Sequence, residues 1–396
     1  MASLKSWGMP MSKWITKKLS PDICKLTKGQ QINRIDLSSA GDYYVLNGGI
    51  EPSGFHNAYN TEANTISISE GGNSCGYVAF NKVSFWSGGH NYTLRSLLPE
   101  IKLDYLYHFL KYREQHIMGL RVGSGLPNIQ RKALANVSIC YPQNDTEQNK
   151  IAEVLSTVDE AIEKTEAIIE KYIAIKRGLM QDLLNEKNDG MKPYKVQNCF
   201  RLRARIGWQG LRADEFKDYG VHLVTGTDFS LGKINWDTCY RVDEYRYKQD
   251  TGIQLKEHDL LITKDGTIGK TAIVHNCPEK ATLNSGIFVV RAKNENVVPE
   301  YLYYLLNSFN FDMFLNNILT GSTIKHLNQE HFYKYYFKAP TPTKQREIVE
   351  QLTTIDERIQ TERDYLVKLT NTKKGLMQDL LTNKVSVKAL LQEEAV

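Results

Sequence analysis

TEQNKIAEVLSTVDEAIEKTEAIIEKYIAIKRGLMQDLL, residues 146–184, returns at 343–381 as TKQREIVEQLTTIDERIQTERDYLVKLTNTKKGLMQDLL. The offset is 343 − 146 = 197 throughout, with no gap. Roughly 18 of about 39 positions are identical, and self-similarity of this kind marks an internally repeated architecture. Both copies carry a helical period. In the first the stripe runs Ile151, Leu155, Val158, Ile162, Thr165, Ile169, Tyr172, Lys176, Leu179, Leu183. In the second it runs Ile348, Leu352, Ile355, Ile359, Glu362, Leu366, Leu369, Lys373, Leu376, Leu380. Steps of four and three alternate over about five heptads, the pattern of a coiled coil. At about 1.5 Å per residue, each helix is expected to run roughly 58 Å.

Pro142 and Asp145 mark the start of the first helix, and Pro340 and Pro342 that of the second. The simplest partner for one helix is its twin. Lys176 and Lys373 then fall on or near the seam, where a lysine costs stability but can fix register, or they reach out to solvent. Gly178 and Gly375 each cost about 1 kcal/mol relative to alanine inside a helix. Their recurrence predicts close approach of another backbone, from the partner helix or a docked subunit.

The repeat continues more weakly upstream. GSGLPNIQRKALANVSICYP (123–142) answers GSTIKHLNQEHFYKYYFKAP (321–340), and LDYLYHFL (103–110) answers PEYLYYLL (299–306). ISISEGGNSCGYVAF (66–80) parallels LLITKDGTIGKTAIV (260–274), and both read as strand, glycine turn, strand. The chain is therefore read as two modules, each a β-rich α+β head with one clear short helix, near Tyr105 and Tyr301, followed by a long helix. Expected segments are a first head at 1–142, a central helical region at 143–187, a second head at 188–340, and a C-terminal helical region and tail at 341–396. Within them NEKNDGMKPYK (185–195) reads as a linker. The heads differ far more in wording than the helices do, which suggests one kind of job done on two different targets.

Bulk properties agree with a cytoplasmic globular protein. The 396 residues are 41% hydrophobic and 24% charged, with mean hydropathy −0.43 and net charge +5. No apolar run suffices for a membrane span, and MASLKSWGMPMSKW lacks the apolar core of a signal peptide. The six cysteines form no CxxC pair, so neither a disulfide framework nor a metal site is expected.

No catalytic motif stands out. GxxxxGK[ST], HExxH, an EF-hand loop and GxSxG are all missing, and the nine histidines are dispersed. Polar and basic residues gather instead on glycine-rich turns. In the first module these are Lys28, Gln30, Asn33 and Arg34, then Arg121, Ser124, Asn128, Gln130 and Arg131. In the second they are Arg201, Arg203 and Arg205, then Lys264, Thr267 and Lys270, then Ser322, Thr323, Lys325 and His326. Such side chains contact phosphates, and Arg, Asn and Gln also read base edges, so these are the candidate DNA-binding residues.

The two copies ending in KRGLMQDLL and KKGLMQDLL, with the heads before them, resemble the specificity subunit of type I DNA restriction-modification systems, a host-defence family. The resemblance covers nearly the whole chain and is most specific in the helices. It implies two target recognition domains, and two long helices packed as an antiparallel coiled coil with a pseudo-twofold relation. Each head reads half of a bipartite, asymmetric site, and the strut sets the spacing. The chain itself is then non-catalytic and carries no cofactor. Two modification subunits bring S-adenosylmethionine and methylate adenine, and restriction subunits cleave with ATP and Mg. An interaction scaffold whose heads bind protein or carbohydrate is the competing reading; it predicts binding indifferent to salt.

Overall fold

The computed structural model describes residues 13–185, 187, 189–206, 210–320 and 326–393. Its contacts divide the chain into two units, Met1–Ala167 with Arg363–Val396, and Ile168–Glu362. Each long helix is shared between the units. The first spans Asp145–Leu183 and the second Pro342–Leu381, 39 and 40 residues. The first opens with Asp145 and Glu147, acidic residues at the end where a helix favours negative charge.

In the first unit the head is built from three sheets. Trp14–Lys18 pairs antiparallel with Ser138–Pro142, joining the start of the head to its end. A four-stranded antiparallel sheet runs in the order Lys25–Lys28, Asn91–Arg95, Thr65–Ser69, Val78–Asn81. In the third sheet Tyr43–Leu46 lies between Gly54–His56 and Trp86–Ser87, antiparallel to the former and parallel to the latter. The core packs Leu26, Ile66, Ile68, Tyr105 and Tyr141 with Ile151 and Leu155 from the first long helix and Met377, Leu380 and Leu381 from the second. The start of one long helix therefore meets the end of the other, and the two run antiparallel.

The second unit repeats these three sheets and adds a short two-stranded one, Phe229–Ser230 with Lys233–Ile234. Lys192–Lys195 pairs with Tyr336–Ala339. The four-stranded sheet runs Phe200–Arg203, Ile287–Ala292, Leu260–Thr263, Thr271–Ile273. Val221–Val224 lies between Tyr240–Val242, antiparallel, and Ala281–Leu283, parallel. Phe200, Phe288, Tyr301, Phe311 and Phe337 pack with Leu184, Ile348 and Leu352, again the end of one long helix against the start of the other.

The striped residues are all buried or half-buried, with Leu155 and Leu352 fully so. Their neighbours are not only the twin helix, because the first two turns of each stripe enter the core of a head. Lys176 and Lys373 are half-buried and paired across the helices. Lys176 Nζ lies 2.6 Å from Asp356 Oδ1 in the second unit, and Lys373 pairs with Asp159 in the first. Asp356 also accepts from Tyr304 Oη at 3.0 Å, and Thr353 Oγ1 is 3.1 Å from that hydroxyl. In the first unit His108 takes the tyrosine's place: its Nε2 is 3.0 Å from Ser156 Oγ and its Nδ1 is 3.8 Å from Asp159.

A second matched pair anchors the start of each helix. Gln148 and Gln345 are fully buried. Gln148 Nε2 donates to Glu100 O at 2.8 Å and Pro142 O at 2.9 Å, and its Oε1 accepts from Lys102 N at 2.8 Å. Gln345 Nε2 donates to Asn296 O at 2.9 Å and Pro340 O at 2.8 Å, and its Oε1 accepts from Val298 N at 2.8 Å. One amide thus satisfies three backbone groups that burial would otherwise leave unpaired.

Three sequence expectations change. Each head holds more than one helix: Leu103–Tyr112 is joined by Glu114–Met118 and Arg131–Ala135, and Pro299–Leu305 by Phe309–Thr320 and Gln329–Tyr333. FNFDMFLNNILT is rich in aromatics and asparagine, weak helix formers, and tertiary packing overrides that propensity. The stretch read as linker ends in a strand, Lys192–Lys195, because Pro193 is tolerated in a two-stranded sheet where every strand is an edge. Among the described residues nothing outside its own helical turn lies within 4 Å of a Cβ placed on Gly178 or Gly375, so no other backbone among them approaches either glycine.

Candidate nucleic-acid interface

In the first head Lys28 and the segment that carries Asn128 and Gln130 meet at the turn that follows Thr65–Ser69. Gly72 sits there at φ +79° with open space around its α-carbon, so the left-handed backbone is what calls for glycine. Ile129 N donates to Glu70 O at 2.8 Å, Gly72 N to Pro127 O at 3.0 Å, and Asn128 and Val122 exchange two backbone hydrogen bonds. Glu70, which sequence reasoning passed over, is the hub. It is 9% exposed and accepts from Lys28 Nζ at 2.9 Å and Tyr92 Oη at 2.8 Å, and His90 stands 3.8 Å away. Burial, then the bonded carboxylate, pushes the Tyr92 phenol above its usual range. Lys28 is therefore partly neutralised, and Arg131 donates to Leu26 O at 3.0 Å. Gln30, Asn33, Arg34, Arg121, Ser124, Asn128 and Gln130 are exposed.

The same head holds a hollow of about 460 Å³ whose wall includes Gln30, Asn33, Asn57, His56 and Trp86. Trp86 Nε1 donates to Gln30 O at 3.0 Å, and the His56 ring meets the Trp86 ring edge-on at 5.0 Å. Side-chain amides over an aromatic wall suit hydrogen bonding to base edges.

The second head brings Lys264, Thr267, Lys270 and His326 together at the equivalent turn. Leu327 N donates to Lys264 O at 3.0 Å and Lys264 N to Gly286 O at 2.8 Å, matching Ile129 to Glu70 and Glu70 to His90 in the first head. Gly266 repeats the positive φ of Gly72, at +67°. Lys264 thus stands where the first head has Glu70, an inversion of charge at one position. His326 pairs with Asp265, whose Oδ2 is 3.6 Å from Lys264 Nζ. Lys270 Nζ donates to Gly226 O at 3.3 Å.

The remaining candidates separate. Arg201 and Arg203 lie on the outer strand of the four-stranded sheet, away from that turn. Arg205 leaves the surface set: it is 2% exposed, and its Nε donates to Leu283 O at 2.9 Å and its Nη2 to Thr282 Oγ1 at 3.3 Å. Burial lowers its pKa, and it serves the interior. Ser322, Thr323 and Lys325 lie outside the described residues. Among the described residues no His, Cys, Asp or Glu cluster could hold a metal ion, and no helix is long and apolar enough to cross a membrane.

The description "Type I restriction modification DNA specificity domain" matches residues 11–171 and again 212–371, most of a head and most of its helix each time. The chain belongs to the type I restriction-modification specificity family. It is 26% identical over 302 residues to the type I restriction enzyme MjaVIII specificity subunit of Methanocaldococcus jannaschii, covering 72% of this chain and 71% of that one. It is 38% identical over 246 residues to a putative type I specificity subunit of Mycoplasma pneumoniae, covering 61% and 64%. The fold matches the crystal structure of a type I restriction-modification S subunit from M. genitalium, with TM-score 0.70 at 21% identity over 93% of this chain and 96% of that one. Specificity subunits are the non-catalytic members of such systems, and this chain is one of that kind.

Proposed function

We propose that the two heads read the two halves of a split, asymmetric DNA site, with the paired helices fixing the unread spacing between them. The observation that carries this is the pairing of one topology with two chemistries. Strand order and turn geometry repeat between the heads, yet the equivalent turn position is Glu70 in one and Lys264 in the other. Two readers of one design facing different base sequences account for that combination. The exposed amides and arginines supply base and phosphate contacts. In this reading the chain works in the cytoplasm with two modification subunits, which bind S-adenosylmethionine and methylate adenine. Restriction subunits using ATP and Mg complete the assembly.

The test is a head exchange followed by methylome sequencing. Replacing residues 1–142 with the first head of a relative of different specificity is expected to change one half-site and leave the other half-site and the spacer length intact. Simultaneous change of both half-sites would overturn the proposal.

A further inference from the structure

Arg201 and Arg203 alternate with buried Phe200 and Leu202, so both point to the same face of the strand. The antiparallel register puts Arg201 directly opposite Arg291 of Ile287–Ala292. Like charges directly opposite one another weaken a sheet. Together with Lys293 these residues line a hollow of about 500 Å³, floored by Gly252, Val289 and Ala292. Among the described residues only one of the four cations is matched by a carboxylate: Arg291 forms a two-point pair with Asp259, Nη2 at 2.5 Å and Nε at 2.7 Å, and donates to Gly252 O at 3.0 Å. Lys293 Nζ donates to Gln197 O at 2.6 Å, a neutral partner. Among the described residues Arg201 and Arg203 have no ion-pair partner. Asp250, the other carboxylate nearby, accepts from Gly252 N at 2.8 Å. A concave site with surplus positive charge and a cross-strand repulsion is built for an anion.

We infer that this hollow holds a DNA backbone phosphate outside the half-site read by the second head, an inference that rests on the DNA-binding reading above. Arg291 lies five residues beyond Gly286, whose carbonyl anchors Lys264. At about 3.4 Å per strand residue that is roughly 17 Å from the reading turn, or about five base pairs of duplex. Arg201 and Arg203 grip the phosphate, Arg291 is held in place by Asp259, and none of them reads a base.

The experiment uses the full chain with its modification subunits, a duplex carrying the sequence its methylome reports, and a scrambled duplex. Affinity is measured across a salt series for the wild type and for the double variant Arg201→Gln, Arg203→Gln. The double variant is expected to lose about one unit from the slope of log affinity against log salt, roughly 0.9 for the one phosphate contact. Its preference for the target over the scrambled duplex stays the same. Its melting temperature is unchanged or raised, because the repulsion with Arg291 is relieved. An unchanged slope in a variant that still binds DNA overturns the inference and leaves the functional reading intact. So does a lost preference, which makes these arginines base readers. Stabilisation of the wild type alone by inorganic phosphate, with equal DNA slopes, also overturns it. If the wild type binds no DNA at any salt, the functional reading itself fails.

Discussion

Gln345→Leu isolates what holds a head to its helix. Leucine nearly matches glutamine in volume, so no large cavity opens, but three hydrogen bonds disappear together. Val298 N, Asn296 O and Pro340 O lose their partner at a site where Gln345 itself is fully buried. Each stranded group costs about 1–3 kcal/mol. Partial relaxation toward water brings the expected loss to roughly 3–5 kcal/mol for the three. For a unit the size of Ile168–Glu362, each kcal/mol moves the midpoint by about 2–4 °C, so its transition falls by roughly 6–20 °C. Calorimetry of the full chain is the assay, with urea unfolding as a second measure. Gln148→Leu is expected to do the same to the other unit, through Glu100, Pro142 and Lys102. A loss below about 1 kcal/mol for both variants would refute the claim that these amides carry the attachment.

Three further outcomes are expected. Inserting seven residues into both helices, between Asp159 and Lys176 and between Asp356 and Lys373, keeps each ion pair with its partner and adds about 10 Å, or roughly three base pairs of spacer; insertion in one helix alone breaks the match, and methylome sequencing reads either result. Gly178→Ala and Gly375→Ala each raise the stability of the isolated chain by about 0.5–1 kcal/mol, since an added Cβ meets nothing within 4 Å; reduced assembly with modification subunits in the same variants identifies that open space as a docking surface. His108 is pushed down to about 4 by burial, against the pull of Asp159 at 3.8 Å and with Lys373 beyond it. The unfolded chain therefore takes up this proton first, and the first unit loses stability as pH falls from about 6.5 to about 4, by at most about 3 kcal/mol; His108→Phe flattens that part of the profile, and equal slopes for variant and wild type would contradict it.

The helices were legible because their evidence is local: a stripe such as Ile151, Leu155, Val158 repeats every three or four residues along one stretch. The sheets were not, since pairing joins distant segments. Trp14–Lys18 finds its partner at Ser138–Pro142, and no periodicity announces that choice. The hairpins at 66–80 and 260–274 were readable from their glycine turns, and both formed. Among the candidate contacts, residue type picked out Arg201 and Arg203. It could not separate them from Arg205, whose burial depends on Thr282 and Leu283 nearly eighty residues later. Glu70, Trp86 and Lys293 gave no signal of their own, because each matters only through what folding sets beside it. Gln148 and Gln345 did carry one, an identical residue at the same place in both copies.

Asp159 with Lys373 and Lys176 with Asp356 form one pair read twice. Suppose the two helices lay side by side in the same direction, aligned by their shared wording. Asp159 would then face Asp356, and Lys176 would face Lys373, two half-buried repulsions in place of two attractions. Apolar stripes alone tolerate either orientation, because leucine and isoleucine do not distinguish up from down. Four charged side chains make that choice. Head-to-tail pairing is therefore already encoded in a single repeat, before any second copy exists to receive it.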